Sequence, residues 1–131
     1  DIVDAASARR AGAAFIQQGP AIAIITSVPL RDTVGDDLGN LLVGPDGAGL
    51  IRTSKLPWAV KGAGDFLAAL WLARFMLARD GFLALQSAVA GTRVVVEKAQ
   101  DHPNQALPIV ELADDWIAAA QKNPPQTIEP C

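Results

Sequence analysis

Apolar positions change their period several times along the chain, and each change marks an element. From Ala5 to Gln18 they recur at helical spacing, with Ala8, Ala11, Phe15 and Ile16 on one face and Arg9, Arg10 and Gln17 on the other. Asp1 or Asp4 supplies a cap in front and Gly19-Pro20 a stop behind, which predicts a helix. Ala21 to Ser27 is instead a short, continuous run rich in β-branched residues. A run apolar on both faces predicts a buried parallel strand, and helix followed by strand predicts an α/β layer fold. Leu38–Val43 and Ala48–Thr53 flank the turn Gly44-Pro45-Asp46-Gly47, predicting a hairpin at the sheet edge.

Beyond residue 60 the helical period returns. Phe66–Leu77 is apolar nearly all round and so requires cover on more than one side, and Arg79-Asp80-Gly81 ends it. A second helix from Phe82 to about Lys98 turns Phe82, Leu85, Val89 and Val96 inward and Gln86, Arg93 and Lys98 outward. So short a link predicts antiparallel neighbours. Leu112, Trp116, Ile117 and Ala120 form the stripe of a final helix. The pattern shows no repeat and no linker, so residues 1–122 read as one unit and 123–131, with its prolines, as a mobile tail.

Composition narrows the class. Of the 131 residues half are hydrophobic and 19% charged, which predicts a packed segment and not disorder. A formal charge of −3 leaves no basic footprint for nucleic acid. Cys131 is the only cysteine, so no disulfide can close within the chain, and a cytoplasmic setting is expected. Asp1-Ile2-Val3-Asp4 leads into the first helix without the basic-then-apolar pattern of a leader, and the Phe66–Leu77 run is too short to span a bilayer, so no membrane partner is expected.

The candidate chemistry gathers at Lys61-Gly62-Ala63-Gly64-Asp65, where the apolar helix begins. Glycines let the backbone bend tightly and approach a ligand, and the first N–H groups of a helix have no intrahelical partner, so a phosphate can be held by backbone alone. Asp65 fits two roles, a helix cap or a base that takes a proton from a hydroxyl beside that phosphate. Thr26-Ser27 places two hydroxyls at the expected carboxyl end of a strand, where α/β sheets bind ligands; a local turn before Pro29 explains them equally well. Lys55 reads as a surface cation, and Trp58 as either core or an exposed patch. Val34-Gly35-Asp36-Asp37 is a solvated loop without the alternating ligands of a calcium site, so no metal is assigned. His102 is a surface histidine in a polar loop.

Gly62-Ala63-Gly64-Asp65 resembles the anion-hole motif of the ribokinase superfamily, Gly-(Ala/Thr)-Gly-Asp, and the order of elements around it is similar to the C-terminal part of a pyridoxal kinase. The Thr26-Ser27 pair and Leu107-Pro108-Ile109-Val110, similar to the short extended segment near the end of those kinases, narrow the resemblance. The fold implied is a ribokinase-like layered sheet with flanking helices, incomplete because only its C-terminal part is present. The resemblance implies transfer of the γ-phosphoryl group of ATP to the 5′-hydroxyl of pyridoxal or a related vitamer, with bound Mg²⁺. It assigns Asp65 as general base, Gly62, Ala63 and Gly64 as anion hole, Thr26 and Ser27 to the ATP phosphates, and Lys55 and Leu56 to the nucleotide base.

Two departures qualify the likeness. Pyridoxal kinases commonly carry Thr where this chain has Ala63, as sugar kinases of the superfamily do not, so a hydroxymethylpyrimidine or sugar kinase stays open. The family is also much longer: its vitamin-binding residues, lid and acidic residues near Mg²⁺ precede the part matched here. The segment alone is therefore expected to be inactive and to form a homodimer or associate with the absent N-terminal half; a non-catalytic fragment that binds a partner is the third reading.

Overall fold

The computed structural model describes residues 1–31, 35–102, 106–122 and 128–131. Val34, Pro103, Asn104 and residues 123–127 of the expected tail lie outside the described residues. Backbone contacts divide the chain between Lys55 and Leu56 into two compact units, where the sequence pattern reads as one.

The first unit is a helix on a four-stranded sheet. Helix α1 (Ala5–Ile16) starts from a capping box: the Ser7 N–H donates to Asp4 Oδ1 at 2.7 Å, and the Asp4 N–H donates back to Ser7 Oγ at 3.1 Å. Its buried residues are Ser7, Ala8 and Gly12, not the expected Ala8–Ala11–Phe15 stripe, and Phe15 is exposed. Close approach to the sheet explains the change, because a Cβ on Gly12 would stand 2.8 Å from Val43 Cγ2. Small residues therefore make the contact.

Strands β1 (Ala23–Pro29), β2 (Asp37–Gly44), β3 (Gly47–Ser54) and β4 (Glu129–Pro130) lie in that order, with every pairing antiparallel. The β2–β3 hairpin forms as expected, with Gly44 opposite Gly47. The parallel pairing expected of β1 does not occur among the described residues. The connection from Pro29 to Asp37 falls short of the dozen or so residues of a parallel crossover, so β1 returns beside β2 as a meander. Nor is the whole C-terminal stretch a free tail. Glu129 pairs with Leu50, its carboxylate takes a bidentate bond from Arg52 (Nε to Oε1 and Nη2 to Oε2, each 3.0 Å), and the Cys131 N–H donates to the Ala48 carbonyl. Ala8, Val28, Leu30, Leu41, Val43 and Leu50 form the core of this unit.

The second unit is three helices: α2 (Ala63–Ala78), α3 (Gly81–Lys98), continued by a 3₁₀ turn over Ala99–Asp101, and α4 (Ala113–Gln121). Arg79, in the left-handed region at φ 56°, closes α2, and Asp80 caps α3 by accepting from the N–H groups of Phe82 and Leu83. The α2–α3 hairpin buries Leu67 and Leu70 of α2. Leu72, Met76 and Leu77 remain more than half exposed, so the cover that an all-apolar helix requires is only partly supplied. Leu107–Val110 is not an extended strand: the Ile109 N–H turns back to the Leu107 carbonyl, and Val110 is exposed.

Each of the three tryptophans donates its indole N–H to a backbone carbonyl: Trp58 to Val96, Trp71 to Gly81 and Trp116 to Ile109, at 2.9, 3.0 and 2.8 Å. Trp58 is therefore packed against α3 and is not an exposed patch. The indoles tie down the approach to α2, the α2–α3 link and the α3–α4 connection.

Candidate anion-binding and catalytic site

At the start of α2 the backbone adopts a form that glycine alone takes readily. Gly62 is the N-cap residue at φ 87°, ψ −5°, where a Cβ would be strained and would also meet Leu107 Cδ1 at 3.4 Å. The first helical bond runs from the Phe66 N–H to the Gly62 carbonyl at 2.9 Å. The N–H groups of Ala63, Gly64 and Asp65 precede it and are left for another acceptor. Over Gly64 the space is open: a Cβ there would have nothing within 4 Å. An anion can thus come directly against the backbone, where the helix dipole favours it.

Asp65 does not cap the helix. The N-cap is Gly62, no side chain makes a capping bond, and Asp65 sits in the first turn, exposed, its side chain making no hydrogen bond or ion pair among the described residues. Its carboxylate is therefore left unengaged at the start of α2. Asp65 is the single acid between residues 61 and 66, and among the described residues no three His, Cys, Asp or Glu side chains converge as a metal site. These donors fit a phosphate; they do not form a resident Mg²⁺ site.

Thr26 and Ser27 do not end their strand as expected. The register passes from Ile25 opposite Leu41 to Val28 opposite Gly39, so the two residues together face Asn40 in a β-bulge, and the strand continues to Pro29. Both are exposed, and Ser27 takes φ 58°, an uncommon state for a residue other than glycine. The bulge was invisible in the hydropathy pattern. Lys55 is exposed and donates its N–H to the Asp36 carbonyl; Leu56 is half-buried. Thr26, Ser27 and Lys55 belong to the first unit, and Leu56 with Gly62–Asp65 to the second.

Three residues that the sequence pattern does not tie to the glycine turn pack against it. Leu107 lies against Gly62, and Phe66 packs its ring edge-on against Trp116, centroids 5.2 Å apart. The signal available was the aromatic next to Asp65 and the tryptophan in the last helix's stripe.

No family model matches the chain. It is 31% identical over 103 residues to a pyridoxal kinase PdxY of Granulibacter bethesdensis and 30% identical over 107 residues to one of Rubrobacter xylanophilus. The chain matches the C-terminal part of the pyridoxal kinases. It spans 36% and 37% of the length of those two relatives, which themselves match 79% and 81% of it. The fold of pyridoxal kinase is shared too. The structure of the Leishmania donovani pyridoxal kinase in complex with ADP and ginkgotoxin has a TM-score of 0.81 at 21% identity, covering 99% of this chain and 45% of the kinase. Plasmodium falciparum PdxK with AMP-PNP and PL has a TM-score of 0.79 at 17% identity, covering 100% of this chain and 44% of that one. The mixed α/β fold is thus shared with those kinases and present in part. Among the described residues no helix is long and apolar enough to cross a membrane.

Proposed function

We propose that this chain is the phosphate-handling part of an ATP-dependent pyridoxal kinase. The observation that carries the reading is the pairing of three unused N–H groups behind Gly62 with an exposed Asp65 carboxylate that caps nothing. In the proposed reaction the vitamer's 5′-hydroxyl oxygen attacks the γ-phosphorus of ATP, its proton passes to Asp65, and ADP leaves. The N–H groups of Ala63, Gly64 and Asp65 stabilise charge on the transferring phosphoryl group, where alignment and electrostatics do most of the work. Thr26 and Ser27 serve the nucleotide phosphates, and Lys55 and Leu56 its base. Mg²⁺ bound with ATP would supply further charge neutralisation, and no carboxylate cluster among the described residues would hold it. The reading carries a cytoplasmic setting with it.

The exposed Leu72, Met76 and Leu77 on α2 support association with that further part of the kinase, in the same polypeptide or in a separate one; a second copy of this chain is the alternative. Ala63 favours a second substrate class, since it removes the hydroxyl that Thr would bring to the phosphate: a hydroxymethylpyrimidine or sugar.

The test has two stages. ADP or ATP added to the 131-residue chain should shift the amide resonances of Gly62, Gly64 and Asp65, while the chain alone phosphorylates no vitamer. In a kinase containing this segment, Asp65→Asn should lower turnover by roughly 10²–10⁴-fold with nucleotide affinity nearly unchanged. Absence of any shift at millimolar nucleotide, or full turnover by Asp65→Asn, would sink the reading.

A further inference from the structure

The first turn of α2 is held by residues from the far end of the sequence. Trp116, on α4, meets Phe66 edge-on, and Phe66 follows Asp65 directly. The Trp116 indole is fixed in turn, because its N–H donates to the Ile109 carbonyl at 2.8 Å. The same connection carries Leu107 against Gly62. The Trp116 main chain is seated as well, its carbonyl oxygen 3.2 Å from where a Cβ on Gly91 would lie. Gly62 and Phe66, the two ends of the first helical bond, are thus each touched by the α3–α4 segment.

We propose that Trp116 is a positioning residue of the anion site, acting through Phe66 and together with Leu107 to set the direction of the Ala63, Gly64 and Asp65 N–H groups. The proposal rests on the phosphate-binding reading above. Three backbone donors must point at one ligand, and a cradle without capping side chains depends for this on the Phe66–Gly62 helical bond and on what packs against its two ends. The edge-on ring contact and the anchored indole supply that constraint from outside the loop.

The experiment titrates ADP into the whole chain and into Trp116→Ala, Trp116→Phe and Leu107→Ala, following Gly62 and Gly64 amide shifts, with exchange of the Phe66 N–H measured beside it. Trp71→Phe is the control, since it removes an indole-to-carbonyl bond at the other end of α2. Trp116→Ala should weaken ADP binding about tenfold or more, Leu107→Ala less, and Trp116→Phe should recover much of the loss by restoring a ring against Phe66. Trp71→Phe should lower stability without changing affinity. Where Trp116→Ala does not fold, Trp116→Phe and Leu107→Ala carry the comparison. Unchanged affinity in both Trp116→Ala and Leu107→Ala, or equal loss in Trp71→Phe, overturns the proposal. If the unaltered chain binds no ADP, the functional reading fails by itself, and the clamp is judged by Phe66 N–H exchange: acceleration in Trp116→Ala but not Trp71→Phe upholds it, and no acceleration overturns it.

Discussion

Leu70 of α2 occupies the space that a side chain at Gly91 of α3 would fill: a Cβ there would come 2.6 Å from Leu70 Cδ2. The two helices can pack this closely because one of them has no side chain at the crossing. Gly91→Ala must therefore push Leu70 aside and also press on the Trp116 carbonyl. Alanine's better helix propensity returns up to about 1 kcal/mol, against an overpacking cost of about 1–3 kcal/mol. The expected result is a net loss of about 1 kcal/mol by denaturant titration, partly recovered by adding Leu70→Val.

Ser27→Gly separates stability from binding. The left-handed backbone at φ 58° costs a serine about 1 kcal/mol that a glycine avoids, so the variant should melt no lower than the parent. If the hydroxyl contacts nucleotide phosphate, ADP affinity should fall in the same variant, as read by calorimetry. A lower melting temperature would mean that the Ser27 side chain supports the bulge.

Thr92 is only 7% exposed, and its Oγ1 finds no partner among the described residues, a polar burial within α3 left uncompensated by them. Thr92→Val keeps the shape and removes the unsatisfied hydroxyl. The variant should gain about 1 kcal/mol in thermal or denaturant unfolding.

Asp4 carries the pH dependence of α1. The Ser7 backbone N–H, with help from the Ser7 hydroxyl, holds its carboxyl below the ordinary carboxylate value, against a small opposing effect of burial. A depressed folded-state pKa means that the cap stabilises fully above the ordinary value and that this contribution disappears as pH falls through the lowered one. Acid unfolding of the parent chain should therefore include a component that is missing in Asp4→Asn, while the two should be alike at neutral pH, since Asn caps about as well.

Elements whose local chemistry decides them were legible in the sequence. The hairpin follows from Gly44-Pro45-Asp46-Gly47, and the turn that opens α2 from Gly62 and Gly64 ahead of an apolar run. Long-range effects were not legible. The α1 contact shifted to Ser7, Ala8 and Gly12 because of how near the sheet lies, and β4 formed because Arg52 captured Glu129 across the chain. At Asp65 the cap alternative does not hold, because Gly62 is the N-cap residue and the carboxylate makes no capping bond. The Thr26-Ser27 bulge depends on a one-residue mismatch with β2, which no single strand's pattern contains.

The anchored indoles also make the chain optically asymmetric. Trp58, Trp71 and Trp116 all belong to the helical unit, and the sequence has no tyrosine, so the sheet unit contains neither fluorophore. Emission excited near the red edge of protein absorption therefore reports on the helices alone, whereas circular dichroism reports on both units. A denaturation curve that differs between these two signals would reveal the units melting separately, and a coincident pair would reveal one cooperative transition.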